Sequence, residues 1–483
     1  MNPLRLTPIQ LDRAAGAVLG SAAGDALGAP YEFRPSVPDD VAIVMKAGGP
    51  WQLGEWTDDT SMVIPMLRAL ARGASLDDEA VQGGIVAEWS EWARTAKDVG
   101  IQTRQVLGRA TDASAAAARD AARAVHDATG RSAGNGSLMR TGPVALGYLA
   151  DGREAALAAS ARSLSGLTHF ETDAGDACVI WSLAIRHAIR TGELDLRGPI
   201  EVLPAERRAR WHEFIDTAER LHPRDIPGSN GWVVAALQAA WAAIVGADTL
   251  AGVLERAVRC GNDTDTVAAI AGSLAGAKYG ASAVPFAWRR HLHGWSGADA
   301  AALDADGLVR LAVLAARGGA NDRDGWPGGD RFATPRTDTL VRHPHDDGVW
   351  IGDLSGLDRL PSDVSAVVSL CRVGAAQVPQ HVGVHHEAWL VDKPGAEYNL
   401  DLDAVFADAA DAVAALRAEG HSVYLHCFEA RSRTPSIAAA YAVRHLGVPA
   451  TRALAEVTAA LPHGAPQPWF TEVVERMSVK EQA

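Results

Sequence analysis

The stretch Gly261-Asn262-Asp263-Thr264-Asp265-Thr266, followed at once by the small apolar run from Val267 to Ala277, organises the reading of this chain. Asp263 and Asp265 lie two apart in a tight polar turn, Thr266 adds a hydroxyl, and the run behind them has helical character. Far upstream, Thr57-Asp58-Asp59-Thr60 repeats the design ahead of another helix-like run, Met62 to Leu70. Asp and Thr before a helix commonly act as caps. Two acid pairs, each flanked by threonine, favour a second role: four carboxylates and two hydroxyls converging from two helix starts would make a hard-oxygen site. Neither stretch contains His or Cys, so Mg²⁺ or Mn²⁺ is expected rather than zinc.

At 483 residues the chain is too long for one ordinary core, and a multidomain protein is expected. Hydrophobic residues at 48% and charged residues at 22% describe a water-soluble globular chain. The net charge of −14, with no basic block, argues against direct nucleic-acid binding. Four cysteines (178, 260, 371 and 427) share no metal-ligand spacing, which fits a reducing cytoplasm. The N-terminal Met1-Asn-Pro-Leu-Arg-Leu-Thr-Pro lacks the apolar core of a signal peptide. The uncharged run 231–247 is short and interrupted by Gln238, so it reads as a buried helix and no membrane span is expected.

Residues 1–315 are dominated by alanine-rich segments of helical period, expected over 11–27, 68–72, 78–94, 113–125, 153–164, 174–190, 207–221, 232–245 and 250–259. Small residues on their inward faces would let such helices pack closely. Polar stretches lie between them. Asp98-Val99-Gly100 sets a carboxylate beside a glycine. Gly134-Asn135-Gly136-Ser137-Leu138-Met139-Arg140 offers N–H groups, an amide and a hydroxyl in a row, either as a simple turn or as a phosphate cradle.

Together Gly24-Asp25-Ala26-Leu27-Gly28 with Glu32, Trp56 to Thr60, Asp98-Val-Gly, Gly134 to Arg140, Thr168-His169 and Asp263 to Thr266 resemble the ADP-ribosylglycohydrolase family. The resemblance runs from about Leu11 to Trp288. It implies an all-α fold with a two-metal (Mg²⁺, or alternatively Mn²⁺) centre held by Thr57, Asp58, Asp59, Asp263, Asp265 and Thr266. It also implies that Gly100, Asn135, Gly136, Ser137 and His169 hold the ADP-ribose, and that Glu32, Asp59 or Asp98 serves catalysis. The substrate would be an ADP-ribosylated protein or a small ADP-ribosyl conjugate. Asn262 stands where the family commonly has a second glycine.

The texture changes at Ala316. Residues 316–348, rich in Gly, Pro, Asp and Arg, read as a linker. From 349 to 483, strand-like runs (349–352, 365–370, 386–391, 422–425) alternate with helices at 402–417, 435–446 and 451–461, the pattern of a small α/β domain. Between the last strand and a helix lies His426-Cys427-Phe428-Glu429-Ala430-Arg431-Ser432-Arg433-Thr434. Cys-x5-Arg in that setting cradles a phosphate through backbone N–H groups and Arg433, beside a helix start that favours a thiolate. The segment resembles the dual-specificity protein-tyrosine phosphatases, which implies Cys427 as nucleophile, Arg433 as phosphate clamp, Asp392 as general acid, Thr434 as the hydroxyl steadying the thiolate and a phosphorylated substrate. Asn399 matches an asparagine that follows the acid loop. Glu429-Ala430 departs from the usual Ala-Gly, and Ala430 would occupy a backbone position that glycine normally takes. A binding module that reads ADP-ribose or phosphate without turnover is the competing reading, strongest for this second half.

Overall fold

A computed structural model describes residues 5–297, 303–335 and 337–480. Met1 to Leu4, part of the N-terminal stretch discussed above, lies outside the described residues, as do Arg336 in the expected linker and the last three residues. The chain divides into two compact units. One comprises Gln10–Val284 and His291–Ala320; the other takes Thr7–Ile9 and Pro285–Arg290 together with the chain from Asn321 onward.

Among its described residues the first unit is mainly helical, with one short antiparallel ladder, β1 (His293–Gly294) with β2 (Leu303–Asp304). The expected periods become helices at Glu79–Trp92, Ala115–Thr129, Glu154–Ser165, Thr172–Thr191, Ala205–Ala218, Val233–Val245 and Leu250–Val258. The segment expected over 68–72 starts earlier, at Ile64, with Pro65 in the first turn where its missing N–H is harmless. Among the described residues of this unit, two helices of eight or more residues were not foreseen. Ile101–Arg109 buries only Thr103 and Val106, too thin an apolar stripe to read as a period. Ala305–Ala316 is capped by Asp304, whose side chain accepts from Gly307 N at 2.8 Å. No helix among the described residues is long and apolar enough to cross a membrane.

Two helices set the site's frame: Pro8–Gly28 and Thr264–Tyr279. On the first, Gly16, Gly20, Gly24 and Gly28 recur every fourth residue and so share one face. A methyl group at Gly16 would lie 2.3 Å from Gly276 O, at Gly20 2.6 Å from Gly272 O, at Gly24 2.2 Å from Ala268 O, and at Gly28 2.5 Å from the Asp265 Cα. The descending partner numbers mean the helices run antiparallel. Their backbones touch with no side chain between them.

The second unit carries β3 (Leu340–His343), β4 (Asp346–Asp353), β5 (Val364–Ser369), β6 (Val384–Glu387) and β7 (Ser422–Cys427) in the order β3-β4-β7-β5-β6. The β3–β4 pair is antiparallel and the rest is parallel. Val423, Tyr424 and Leu425 are fully buried, as expected of a central parallel strand covered on both faces. Helices Leu402–Ala418, Arg433–Leu446, Ala450–Ala460 and Pro468–Lys480 pack around the sheet. The stretch expected as a linker differs from that reading. It begins inside the helix ending at Ala316 and contains all of β3, whose pairing with β4 overrides its polar composition. Phe286, far upstream in sequence, sits in this unit's core at 2% exposure, its N–H on Asp408 Oδ1 at 2.8 Å and its ring 4.8 Å from His386.

The glycine seam predicts a contrast. Gly24→Ala should destabilise the protein by about 3 kcal/mol or more, because the clash is with backbone that cannot repack. Gly84→Ala, at an exposed position of helix Glu79–Trp92 with nothing within 4 Å of the new methyl, should stabilise it by up to about 1 kcal/mol. Urea midpoints of the two variants check this; equal midpoints would remove the seam from the argument.

Candidate functional site

The seam brings Asp25 and Asp265 to the same level. Asp25 accepts from Thr57 N (3.0 Å), Thr60 N (2.9 Å) and Thr60 Oγ1 (2.6 Å), and so anchors the first turn of the short helix Asp58–Ser61. Thr57 caps that turn and donates to Asp59 Oδ2 at 3.2 Å; Thr266 donates to the same oxygen, also at 3.2 Å. The two sequence-distant Thr/Asp stretches therefore meet. Ligand-capable oxygens of Asp25, Asp59 and Asp265 lie within 4.8 Å of one another, and so do those of Glu32, Asp263 and Asp265.

Buried carboxylates without cations are driven toward their protonated forms. Burial, then the charge of Asp98, raises Asp58 to about 7; burial, then Asp263, raises Glu32 to about 8. Burial lifts Asp25 to about 6 despite its hydrogen bonds, and pushes Asp59 and Asp265 well above the ordinary range. Asp263 is also raised, chiefly by burial. Two oxygens are more telling. Asp59 Oδ1 and Asp265 Oδ1 are buried and have no hydrogen-bond partner. An orphaned buried carboxylate oxygen is unfavourable by itself, and a hard divalent cation satisfies it. The donor set fits such a cation.

The turn before helix Thr264–Tyr279 explains the sequence there. Gly261 and Asn262 both have positive φ, 73° and 57°, and asparagine tolerates that region better than other side chains. Asn262 pairs with the Glu32 loop, its N–H on Arg34 O at 2.8 Å and its carbonyl taking Phe33 N at 2.7 Å. Asn135 Nδ2 donates to Asp263 Oδ2 (2.7 Å) and to Asn230 O (2.8 Å), which joins the glycine loop to the acid cluster. Ser137 accepts from Ser165 at 2.9 Å. His169 is buried against the same loop: its Nε2 lies 3.2 Å from where a Gly134 Cβ would stand and its Cε1 3.2 Å from a Gly136 Cβ, so neither position has comfortable room for a side chain. Burial lowers the imidazole well below its usual value, so the ring is neutral. Gly100 N donates to Asp58 Oδ2 at 3.2 Å, and Asp98 accepts from Val99 N.

Sequence reasoning missed Asp25 as a site residue, although it is the one charged residue in the apolar, small-residue run from Ala14 to Gly28, a visible signal. It also missed an aromatic wall. A cavity of ≈ 210 Å³ is lined by Thr57, Asp58, Asp98, Glu55 and Lys97 together with Trp51, Trp92 and Trp295. Lys97 is paired with Glu55 at 2.6 Å and lies 5.4 Å from the Trp51 ring centre. No local pattern ties Trp295 to Trp51, so only the fold assembles this wall.

In the second unit, Cys427 ends the central strand and is 2% exposed. Arg433 Nη1 donates to Leu370 O (2.8 Å) and Leu390 O (3.2 Å), while its buried Nε has no partner. Asp392 accepts from Ser432 Oγ at 3.1 Å, and Asn399 clamps the base of its loop by bonding both Val391 N (2.8 Å) and Val391 O (3.0 Å). Thr434 Oγ1 donates to Gly352 O at 3.1 Å, so its proton is directed at the neighbouring strand rather than at the Cys427 sulfur. Ala430 has φ of 54°, the left-handed conformation expected from the missing glycine.

These features belong to a known class. The chain is a member of the ADP-ribosylglycohydrolase family, whose profile matches residues 6–321. Among its relatives, the ADP-ribosylarginine hydrolase Tri1 of Pseudomonas putida (strain GB-1) is 32% identical over 309 residues, covering 59% of this chain and 78% of that protein. The ADP-ribosyl-[dinitrogen reductase] glycohydrolase of Rhodospirillum rubrum is 31% identical over 290 residues, covering 57% and 89%. A solved structure of human DUSP28 aligns with 24% identity and a TM-score of 0.28, covering 31% of this chain and 100% of that one.

Two outcomes are expected. Mg²⁺ binding must displace protons from the raised carboxylates, so affinity weakens as pH falls through about 7, and more protons are released near pH 6 than near pH 8. Titration calorimetry in buffers of different ionisation enthalpy measures this; proton release independent of pH would contradict it. Ala430→Gly should stabilise the second unit by about 1 kcal/mol by relieving the left-handed alanine, read from its unfolding midpoint.

Proposed function

We propose that this family member is a divalent-metal-dependent hydrolase that removes ADP-ribose from a guanidinium acceptor, an arginine side chain or a small conjugate of one. The observation that carries the reading is the pair of orphaned oxygens, Asp59 Oδ1 and Asp265 Oδ1, within a hard-oxygen set. Thr57, Asp58, Asp59, Asp263, Asp265 and Thr266 would hold Mg²⁺, with Mn²⁺ as the alternative. When bound, such ions supply positive charge that orients a ribose diol and stabilises developing negative charge. The chain's own groups do the rest. Asn135, Gly136, Ser137 and His169 grip the ADP-ribose, and a carboxylate among Glu32, Asp59 and Asp98 moves the proton between water and leaving group.

The acceptor assignment rests on the aromatic wall. Indole faces favour a guanidinium, and Asp98 on the same wall adds a carboxylate. A serine acceptor would use neither. The relatives named as ADP-ribosylarginine hydrolases point the same way. The four cysteines are free, in keeping with a reducing cytoplasm.

For the second unit the reading is a cysteine phosphatase acting on a phosphomonoester. Cys427 Sγ forms an S–P bond as the ester P–O bond breaks, and the departing oxygen takes a proton from Asp392. Water then cleaves the S–P bond, returning its proton to Asp392 and releasing inorganic phosphate. The unpartnered Arg433 Nε supports an anion at this loop. A phosphate reader without turnover is the alternative, favoured by strain at Ala430.

Release of free ADP-ribose from arginine- and serine-linked conjugates, with and without Mg²⁺, tests the first reading. Arginine conjugates should be preferred at least about tenfold, the scale of a desolvated cation–aromatic contact. Asp265→Asn should lower kcat by about a hundredfold or more and abolish the Mg²⁺-induced rise in Tm, while the apo protein melts no lower, because burial already drives the apo carboxyl toward its neutral form. A preference for serine, or an Asp265→Asn enzyme with full activity, would refute the assignment.

A further inference from the structure

Beside the Cys427–Arg433 loop lies a cavity of ≈ 810 Å³, within the range of sites that enclose whole small molecules. A slot for one phosphorylated side chain needs far less. We propose that this cavity seats a flat, nucleobase-sized aromatic ring, so that the second unit takes small aromatic phosphomonoesters of nucleotide type rather than phosphoprotein side chains. The inference rests on reading the loop as a phosphate cradle and adds the identity of what the phosphate is attached to.

The cavity wall supplies the argument. Arg433 and Asp392 line it, as do Phe428, Trp389 and Trp326. Phe428 belongs to the cradle loop itself and is 39% exposed, which puts accessible aromatic surface beside the phosphate cradle. Trp389 is half-buried on the segment that also supplies Leu390 O to Arg433, which couples the aromatic wall to the clamp through one backbone step. Its ring meets Trp326 edge to face at 5.7 Å. The Arg372 guanidinium lies 4.1 Å from the Trp326 ring centre and 5.6 Å from that of Trp389, so Arg372 and the buried Trp326 form a backing of planar groups behind Trp389, which keeps part of its surface exposed for a further ring.

The wall is also fastened in place. Phe332 N and O both bond the Gln377 amide, and Gly329 O and Asp330 O receive Ala375 N and Ala376 N. A cavity formed by a tied segment is preorganised for its ligand. Charge narrows the ligand further. Arg372 is engaged by Asp322 at 2.8 Å, and the remaining lining cations, Lys393 and Arg433, share the lining with three further acids, Asp324, Glu387 and Asp392. With no surplus of positive charge, the site suits one phosphate on a neutral ring system and disfavours polyphosphates and acidic phosphopeptides.

The full chain, assayed with p-nitrophenyl phosphate, adenosine 5′-monophosphate, ribose 5-phosphate and a phosphotyrosine peptide, tests this. The adenosine compound should exceed ribose 5-phosphate in kcat/KM by at least about tenfold, the scale of one base–aromatic stack. Trp389→Ala should collapse that ratio through KM, and Trp389→Phe should restore most of it. Equal rates for the two sugars' phosphates, a preference for the peptide, or a Trp389→Ala loss shared equally by both would overturn the inference while leaving the cradle reading intact. If no phosphoester is turned over, the enzyme reading falls. Calorimetric binding of adenosine 5′-monophosphate to the full chain then decides: Trp389-dependent binding sustains the ring site, and no binding overturns it.

Discussion

The contact between helices Pro8–Gly28 and Thr264–Tyr279 is the constraint on which the first unit depends. Four glycines on one face let the backbones touch, and a methyl group at any of them would stand 2.2–2.6 Å from the partner. That closeness sets Asp25 of one helix against Asp265 of the other, within reach of Asp59. Ordinary ridges-into-grooves packing holds helix axes 8–10 Å apart, a spacing set by the side chains at the contact. The same short carboxylates could not then share one site. Close packing here is less a matter of core stability than of bringing short acidic side chains together.

Electrostatics works against that arrangement and gives it its chemistry. Asp25, Asp58, Asp59, Asp263, Asp265 and Glu32 all lie above their ordinary values, each chiefly through burial. The fold tolerates this by saturating some oxygens with N–H and O–H donors, as Asp25 is by Thr57 and Thr60, and leaving others bare. The donors fix the geometry and the bare oxygens carry the affinity for a cation. A folded chain that holds unpaired buried oxygens is storing unfavourable free energy that a ligand can release.

In the second unit the same logic runs with the opposite sign. Arg433 is held by two main-chain carbonyls, which keeps a cationic group at the loop on the C-terminal edge of a parallel sheet. Ligands of open parallel sheets gather at that edge. Asn399 fixes the neighbouring Asp392 loop by closing a two-bond clamp on Val391. At Ala430, with φ of 54°, the residue and the backbone conformation disagree.

Much of this was legible in the sequence. The paired Thr/Asp stretches, the glycine loop at 134–136 and Cys427 to Arg433 stand out because polar residues at helix starts interrupt strongly periodic apolar segments, and that contrast is local. The helical and α/β characters of the two parts follow from the same periodicities. What only the tertiary structure decided involves residues whose signal is not local. Asp25 is a single acid whose role depends on which helix lies against it. Trp51, Trp92 and Trp295 share a wall only after the chain has folded back. Phe286 belongs to the second unit's core although it precedes the last helix of the first, and β3 emerges from a stretch of linker-like composition because β4 supplies its hydrogen bonds. Periodicity reports which face of an element is buried; it carries no information about what that face is buried against, and these residues depend on that partner.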